Sequence, residues 1–264
     1  MHRFNNDTYL LRQSKCSDPG HPPGNIGPPF EAPFLYLFFG SNPAILIDSG
    51  ASASPSVLPL AATIAQILQQ HPVPLIVTHT HNHGDHKVGD GQLAGQPNTA
   101  IVGTNRQSVA SFFNLSNWPN QSGSIDLGSR IIDILPIPGR EDAHIAFYDR
   151  RDKLLLTVDS LYPGLLVVNN WAAYHASIDR LAAFVADNRP VTHVLGGHIE
   201  MTQPAGRWFG LGVLFQPGEH ALQLGTEHLM ELKHALDQIG HTPRVDRHAD
   251  FIIYPAGLPL PSLA

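Results

Sequence analysis

Three imidazoles and one carboxylate lie within six consecutive residues, directly after the short apolar run 75–77. They belong to His81, His83, Asp85 and His86. Imidazole and carboxylate groups together suit zinc or another divalent ion of similar character. Two histidines spaced two residues apart at the end of a strand direct their side chains the same way. The spacing therefore predicts a metal site, with ligands for one ion or for two adjacent ions.

The alternative interpretation of this segment is a polar loop that happens to be rich in histidine. The chain has 16 His among 264 residues, so an isolated histidine carries little information. A strand followed by His-x-His-x-Asp-His is more specific, and it favours the metal site. Seven further histidines are expected to be surface or packing residues: His175, His193, His220, His228, His234, His241 and His248.

Together with four segments around it, this motif resembles the metallo-β-lactamase superfamily, in particular its glyoxalase II-like and lactonase-like members. Residues 81–86 match the signature His-x-His-x-Asp-His, and residues 44–50 match a strand that ends in an Asp-Thr/Ser-Gly turn. Residues 138–139 match a Pro-Gly pair, residues 154–159 a strand that ends in Asp, and residues 195–198 a late Gly-x-His. The resemblance implies an α/β protein, a four-layer αβ/βα sandwich, formed as a single domain by residues 1–264.

The resemblance also implies two sets of metal ligands. The first ion would take His81, His83 and the histidine that follows Pro-Gly in relatives. The second ion would take Asp85, His86 and His198, with Asp159 shared between the two ions. The second set is complete in this chain.

The first set is broken, because Arg140 follows Pro138-Gly139 where the resemblance implies a histidine. A guanidinium group stays protonated and has no lone pair to give a metal. His144, Glu141 or Asp142 could replace the missing ligand after a loop rearrangement, and His144 could equally lie behind the ligands. Arg140 itself could pair with Asp159 or with a substrate carboxylate. The sequence leaves these alternatives open.

Three residues are candidates for catalysis under the same resemblance. Asp159 and Asp85 would bind metal and would also help to orient and deprotonate the nucleophile. Tyr162, three residues after Asp159, has a spacing similar to that in lactonases, where a phenol can donate to a developing oxyanion; the alternative is a tyrosine that packs the turn before Pro163. Asp48 is expected to anchor the motif loop and not to touch metal.

A metal at this site implies hydrolysis, because a zinc-bound water has its pKa lowered towards about 7 and is available as hydroxide. We therefore expect a hydrolase that uses metal-bound hydroxide on an ester, thioester, lactone or lactam, with one or two Zn²⁺ ions; iron and manganese are further options. A degenerate, non-catalytic ligand-binding protein is the alternative that Arg140 motivates. An iron-dependent oxidoreductase similar to persulfide dioxygenases is the third hypothesis.

The elements that must position these residues follow from the apolar patterning and from the breakers Gly and Pro. Predicted strands cover residues 9–11, 34–39, 44–47, 75–77, 100–102, 131–135, 154–158 and 251–253. The first predicted helix begins at Ser54-Pro55. Three more predicted helices cover residues 107–113, 175–187 and 219–239. A stretch rich in Pro and Gly, residues 18–29, predicts a loop that either flanks the site or lies on the surface.

Composition limits the classes of partner. The chain is 42% hydrophobic with a formal charge of −6, which gives no basic surface for nucleic acid. It contains no apolar run of about 18 residues that would span a membrane, and its start lacks the apolar region of a signal peptide. Cys16 is the only cysteine. These features predict a cytoplasmic protein with a small-molecule substrate, and they leave the oligomeric state undetermined.

Overall fold

Two six-stranded sheets form the centre of the computed structural model, which describes residues 1–13, 32–187 and 189–263. In the first sheet the strands lie side by side in chain order. They are β1 (His2–Asn5), β2 (Thr8–Arg12), β3 (Phe34–Phe39), β4 (Ala44–Ile47), β5 (Leu75–Thr78) and β6 (Thr99–Ile101). The pairs from β1 to β4 are antiparallel, whereas β4, β5 and β6 run parallel.

The second sheet is formed by the later part of the chain, and a small third sheet accompanies it. The remaining strands are β7 (Gly123–Asp126), β8 (Ile131–Pro136), β9 (Ile145–Asp149), β10 (Leu154–Val158), β11 (Leu165–Val168), β12 (His193–Gly196), β13 (Gln223–Leu224), β14 (Asp246–Arg247) and β15 (Ile252–Pro255). The second sheet has the order β13-β12-β10-β9-β8-β7, with β10 and β12 parallel, and the third has the order β11-β15-β14.

Helices cover the outer faces of the two large sheets. They are α1 (Leu60–Gln70), α2 (Gly84–Lys87), α3 (Asp90–Leu93), α4 (Arg106–Phe112), α5 (Trp171–Ala186) and α6 (Thr226–Ile239). The apolar side of α1 packs on the outer face of the first sheet, and α5 and α6 pack on the outer face of the second. The inner faces of the two sheets bury a third apolar cluster between them. This is the predicted four-layer αβ/βα sandwich, which is confirmed.

The short apolar runs located the eight predicted strands to within two residues, and β3 lies where it was predicted. Three helix starts were wrong, among them that of α5, which begins at Trp171 and not at His175. The first helix begins at Leu60 and not at Ser54-Pro55, because residues 54–58 form turns that are closed by hydrogen bonds from Val57 and Leu58 to the Ser54 carbonyl.

The last long helix, α6, begins at Thr226 and not near Glu219. Residues 223–224 pair with β12 as a short edge strand. The buried side chains of Leu222 and Leu224 therefore belong to this edge strand and the residue before it, and not to a helix. Gly225 then ends the strand and starts the helix.

Cys16 and the loop predicted at residues 18–29 lie outside the described residues. Among the residues that the structure describes, no helix is long and apolar enough to cross a bilayer.

Candidate metal centre

The predicted ligands meet where the carboxyl ends of the parallel strands of both sheets come together. Asp48 directly follows β4 and Asp159 directly follows β10. The His-rich motif comes shortly after β5, and His198 is the second residue after β12. The ends of parallel strands lie at one edge of a sheet, and the two sheets here present the same edge to one cleft. Side chains that are far apart in the sequence therefore share one buried site.

One group of ligand atoms is formed by Asp85, His86 and His198, all buried. Nε2 of His86 lies 3.0 Å from Oδ2 of Asp85, and Nε2 of His198 lies 3.2 Å from the same oxygen. The two Nε2 atoms are 3.4 Å apart. Oδ1 of Asp159 completes the group, 3.5 Å from His86 Nε2 and 3.4 Å from His198 Nε2.

A second group is formed by His81, His83 and Asp159, whose ligand atoms lie within 4.8 Å of one another. Nε2 of His81 is 2.9 Å from Nδ1 of His83 and 3.5 Å from Oδ2 of Asp159. The two groups therefore share the Asp159 carboxylate, with one oxygen on each side.

The donor set of Asp85, His86, His198 and Asp159 fits a divalent cation. Oδ1 of Asp159 is buried and has no hydrogen-bond partner among the described residues, since the two nearby imidazoles are too distant for good bonds. An acceptor oxygen that faces two Nε2 atoms at this spacing is satisfied when a cation lies between them.

The charge state of these residues also suits a metal. Burial raises the pKa of Asp159, but His86, His198 and His81 lower it more, so that it lies well below its usual range. For Asp85, burial is likewise outweighed by His86 and His198. Burial lowers the pKa of His86, but Asp85, Asp48 and Asp159 raise it well above its usual range. A cation at this site would replace that proton, because metal and proton compete for the same lone pair.

Asp48 holds His86 in the orientation that the site requires. It is fully buried, and its Oδ2 lies 2.8 Å from Nδ1 of His86. Its Oδ1 accepts a hydrogen bond from the backbone N–H of Thr80, also at 2.8 Å. This places Asp48 behind the ligands, where the sequence predicted it.

Arg140 lies inside the centre and contacts Asp159. Its Nε and Nη2 both donate to Oδ2 of Asp159, at 3.3 and 3.2 Å, and its side chain is 18% exposed. Of the alternatives left open by the sequence, the structure thus shows the pair of Arg140 with Asp159.

None of the three proposed substitutes for the missing ligand belongs to either group of ligand atoms. His144 is buried and stacks on His81 with 4.6 Å between ring centroids; neither of its ring nitrogens has a hydrogen-bond partner among the described residues. Burial lowers its pKa to about 3. The Glu141 carboxylate accepts from the backbone N–H of Ala143, and Asp142 pairs at the surface with Arg106. Ligation by His144 stays a prediction.

Tyr162 lies under His198, with 5.8 Å between the two ring centroids. Its hydroxyl is 2.7 Å from the Leu165 carbonyl oxygen and 3.0 Å from Oε2 of Glu200. Burial, and then the charge on Glu200, raise the pKa of Tyr162 well above its usual range. These contacts agree with the packing alternative, and the catalytic role of Tyr162 stays a prediction.

Sequence reasoning missed several residues that shape the site. Thr80, Glu200 and Gly89 were not singled out, although Thr80 directly precedes the motif. Val158, directly before Asp159, has φ 46°, which is strained for a β-branched residue. The strain coincides with a shift in the pairing of β10 with β12 and turns Asp159 out of the sheet edge.

Outside this centre, the described part of the chain contains one further group of potential ligands, at the surface between α5 and α6: His175, Asp179 and Asp237. Nζ of Lys233 lies 3.0 Å from Asp179 and 2.8 Å from Asp237, so both carboxylates already have a cationic partner that would compete with a metal ion. This agrees with a surface role for His175.

The fold and the site together define a known class of protein. The metallo-beta-lactamase superfamily matches residues 29–198, which is more than half of the chain. The chain belongs to this superfamily.

Particular relatives share less than a third of their residues with the chain. A hydroxyacylglutathione hydrolase of Methylococcus capsulatus is 28% identical over 196 residues, which cover 72% of each protein. An acyl-coenzyme A thioesterase, MBLAC2, of Gallus gallus is 26% identical over 201 residues, which cover 63% of this chain and 72% of the relative.

Among solved structures, a metallo-beta-lactamase from Pontibacter korlensis superposes with a TM-score of 0.57 at 15% identity. That superposition covers 89% of this chain and 97% of the other. The DIM-1 metallo-beta-lactamase superposes with a TM-score of 0.58 at 11% identity, covering 90% and 96%. These similarities concern the fold.

Proposed function

We propose that this protein is a metal-dependent hydrolase of small acyl compounds, with thioesters as its first substrate class. The observation that carries the proposal is the convergence of Asp85, His86, His198 and Asp159 on one buried centre, with His86 oriented from behind by Asp48. The two relatives described above are named for acyl groups carried on glutathione and on coenzyme A. Both carriers are thiols, which supports a thioester.

The chemistry of the leaving group supports the same choice. A thiol has an ordinary pKa of about 8.5, so a thiolate can leave without being protonated, whereas the amine of a lactam requires a proton. Ionised carboxylates have no proton to donate to a leaving group, so this site is better suited to a thioester than to a lactam. Esters and lactones are intermediate and remain within the proposed class.

The roles of the residues follow from their positions. Asp85, His86, His198 and Asp159 would hold a divalent cation, with zinc as the first choice. The cation would supply Lewis acidity and lower the pKa of a bound water. The ionised carboxylates of Asp85 and Asp159 would accept hydrogen bonds from the attacking water and orient it, and either can take its proton. The neighbouring buried elements exclude bulk water, which strengthens these interactions.

The test is a panel of hydrolysis assays on purified protein reconstituted with zinc. The panel contains an acyl-glutathione, an acyl-CoA, an activated aryl ester, a lactone and a β-lactam. We expect the thioesters to react with the highest kcat/KM and a chelator to abolish the reaction. Asp85→Ala should lose turnover, and Asp187→Ala, an exposed acidic residue at the end of α5, should retain it.

Three results would contradict the proposal. Tight metal binding without turnover of any compound in the panel would favour the non-catalytic ligand-binding alternative. Iron as the bound metal, with oxygen consumed in the presence of a persulfide, would favour the oxidoreductase. Absence of metal binding would contradict the metal centre itself.

A further inference from the structure

The contact between Arg140 and Asp159 uses the oxygen that the first metal group would need. Oδ2 of Asp159 accepts from both Nε and Nη2 of Arg140, and the same oxygen lies 3.5 Å from Nε2 of His81. The guanidinium therefore lies on the side of Asp159 that faces His81 and His83. Oδ1 of Asp159 faces the other way, towards His86 and His198.

The backbone that carries Arg140 is fixed. The carbonyl of Arg140 accepts a hydrogen bond from Nδ2 of Asn169 at 2.6 Å. The carbonyl of Gly139 accepts two more, from the backbone N–H groups of Asn169 and Asn170. Gly139 also packs directly on α5, where an added Cβ would lie 2.4 Å from Cα of Tyr174, and its φ of 141° is unfavourable for other residues. The turn therefore holds the backbone of Arg140 beside the site, and the two hydrogen bonds to Asp159 hold its guanidinium.

The two histidines of the first group satisfy one another. Nε2 of His81 and Nδ1 of His83 are 2.9 Å apart, which is a normal hydrogen-bond distance, so that one proton is shared between the rings. In the other group, the Nε2 atoms of His86 and His198 lie 3.0 and 3.2 Å from Oδ2 of Asp85, but no closer than 3.4 Å to Oδ1 of Asp159, which has no hydrogen-bond partner among the described residues. The unpartnered acceptor oxygen of Asp159 therefore faces the second group, whereas Arg140 occupies the oxygen that faces the first.

We propose that Arg140 replaces the first metal ion as a permanent positive charge, so that this centre holds a single metal ion on Asp85, His86, His198 and Oδ1 of Asp159. Asp159 is then a ligand of one ion and a partner of Arg140, and it does not bridge two ions. A guanidinium has no lone pair and keeps its proton, so it repels a cation and cannot ligate one. The inference rests on the metal centre of the proposed function, but it concerns the number and place of the ions and not turnover.

The experiment measures metal stoichiometry in four proteins. They are the wild type, Arg140→His, Arg140→Gln and the control Arg106→Gln, which changes an exposed arginine paired with Asp142 at 3.7 Å. Each apoprotein is titrated with Co²⁺, followed by visible absorption and by electron paramagnetic resonance, and zinc content is measured after dialysis. Circular dichroism confirms that each variant is folded.

We expect the wild type and Arg106→Gln to bind one ion tightly, with any second Co²⁺ bound at least about 100-fold more weakly. Arg140→His should bind two ions and show the spin coupling of a paired centre, because it restores a third protein ligand to the first group. Arg140→Gln removes the charge without adding an imidazole, and it should raise the affinity for a second Co²⁺ by about 10-fold or more. If Arg140→His does not fold, the proposal is tested with Arg140→Gln alone.

Two tightly bound ions in the wild type would overturn the proposal. A single ion in both Arg140 variants would overturn it as well, because Arg140 would then not be what excludes the first ion. A protein that binds one ion but hydrolyses nothing would leave this inference standing and contradict the proposed function.

The position of the single ion has its own test. His198→Ala should lose the tight Co²⁺ signal, because it removes a direct ligand. His81→Ala should retain it. Loss of the tightly bound ion from His81→Ala would overturn the assignment, since it would place that ion in the first group.

Discussion

Asp48 and His86 are both fully buried and form a hydrogen bond of 2.8 Å between Oδ2 and Nδ1, although they are 38 positions apart in the sequence. The carboxylate requires a proton on Nδ1, so Nε2 is the ring nitrogen that faces Asp85 and His198 and would bind a cation in place of its proton. The other oxygen of Asp48 accepts from the backbone N–H of Thr80, the residue before His81. One carboxylate thus fixes both the ring and the loop of the metal motif.

We expect Asp48→Asn to lower metal affinity by about 10–100-fold, because the amide cannot accept from Thr80 and from His86 as the carboxylate does. The measurement is competition with a coloured chelator. The matched control is Asp90→Asn, since Asp90 forms a similar bond of 2.9 Å with His79, which is not in either ligand group. Equal affinity in the two variants would show that Asp48 does not act through His86.

Tyr162→Phe tests the role of the phenol. From the contacts with Leu165 and Glu200 we expect the free energy of unfolding to fall by about 1 kcal/mol, with kcat changed by less than about 3-fold. The measurements are denaturant unfolding and steady-state kinetics on the best substrate of the panel. A fall in kcat of about 100-fold or more at unchanged stability would instead support the oxyanion role that the sequence suggested.

Two glycines close together in the chain give a matched pair of variants. A Cβ at Gly89 would lie 1.9 Å from the backbone oxygen of Ser49, in the turn that carries Asp48, whereas a Cβ at Gly91 would meet only Ala53, at 3.5 Å. We expect Gly89→Ala to destabilise the protein by about 1–3 kcal/mol through overpacking and to weaken metal binding.

Gly91→Ala, within α3, should be neutral or stabilise the protein by up to about 1 kcal/mol. Thermal unfolding and the chelator assay measure both effects. Similar behaviour of the two alanine variants would mean that the packing of Gly89 on Ser49 does not support the site.

Asp152 predicts a pH dependence of stability that is separate from the metal centre. Its Oδ2 accepts hydrogen bonds from Asn5, Thr8 and Arg130, and it joins the first hairpin to the turn between β9 and β10. Burial raises the pKa of Asp152, but the hydrogen bonds from Thr8 and Asn5 and the charge on Arg130 lower it below its usual value.

A carboxyl group with a lowered pKa stabilises the folded state above its unfolded pKa of about 3.9, and this contribution is lost as the pH falls through the folded pKa. The wild type should therefore be more stable than Asp152→Asn by about 1–3 kcal/mol at pH 7, and the difference should shrink below about pH 4. Urea unfolding between pH 3 and pH 7 measures it. Asp142→Asn, at an exposed carboxylate, should show no such trend; an equal trend in both variants would contradict the prediction.

Short motifs in the sequence were sufficient for the class of fold, through the resemblance that they carry, and for a prediction of the candidate ligands. The His-x-His-x-Asp-His motif is a matter of residue type and spacing, and the strand before it is marked by an unbroken apolar run. The strand at residues 34–39 was predicted at its observed bounds for the same reason. The helix starts at Leu60 and Thr226 were not predicted, because a turn and an edge strand can carry the same apolar residues as a helix.

The sequence by itself determined which side chains are available to hold a metal, since that depends on their chemistry and on short spacings. Only the tertiary structure decided how they share the site. His86 and His198 are 112 positions apart, and Arg140 is 19 positions from Asp159. Whether Arg140 meets Asp159, and whether the Tyr162 hydroxyl meets Glu200, depends on how parallel strands pair and where the turns after them are held, and no local pattern encodes that geometry.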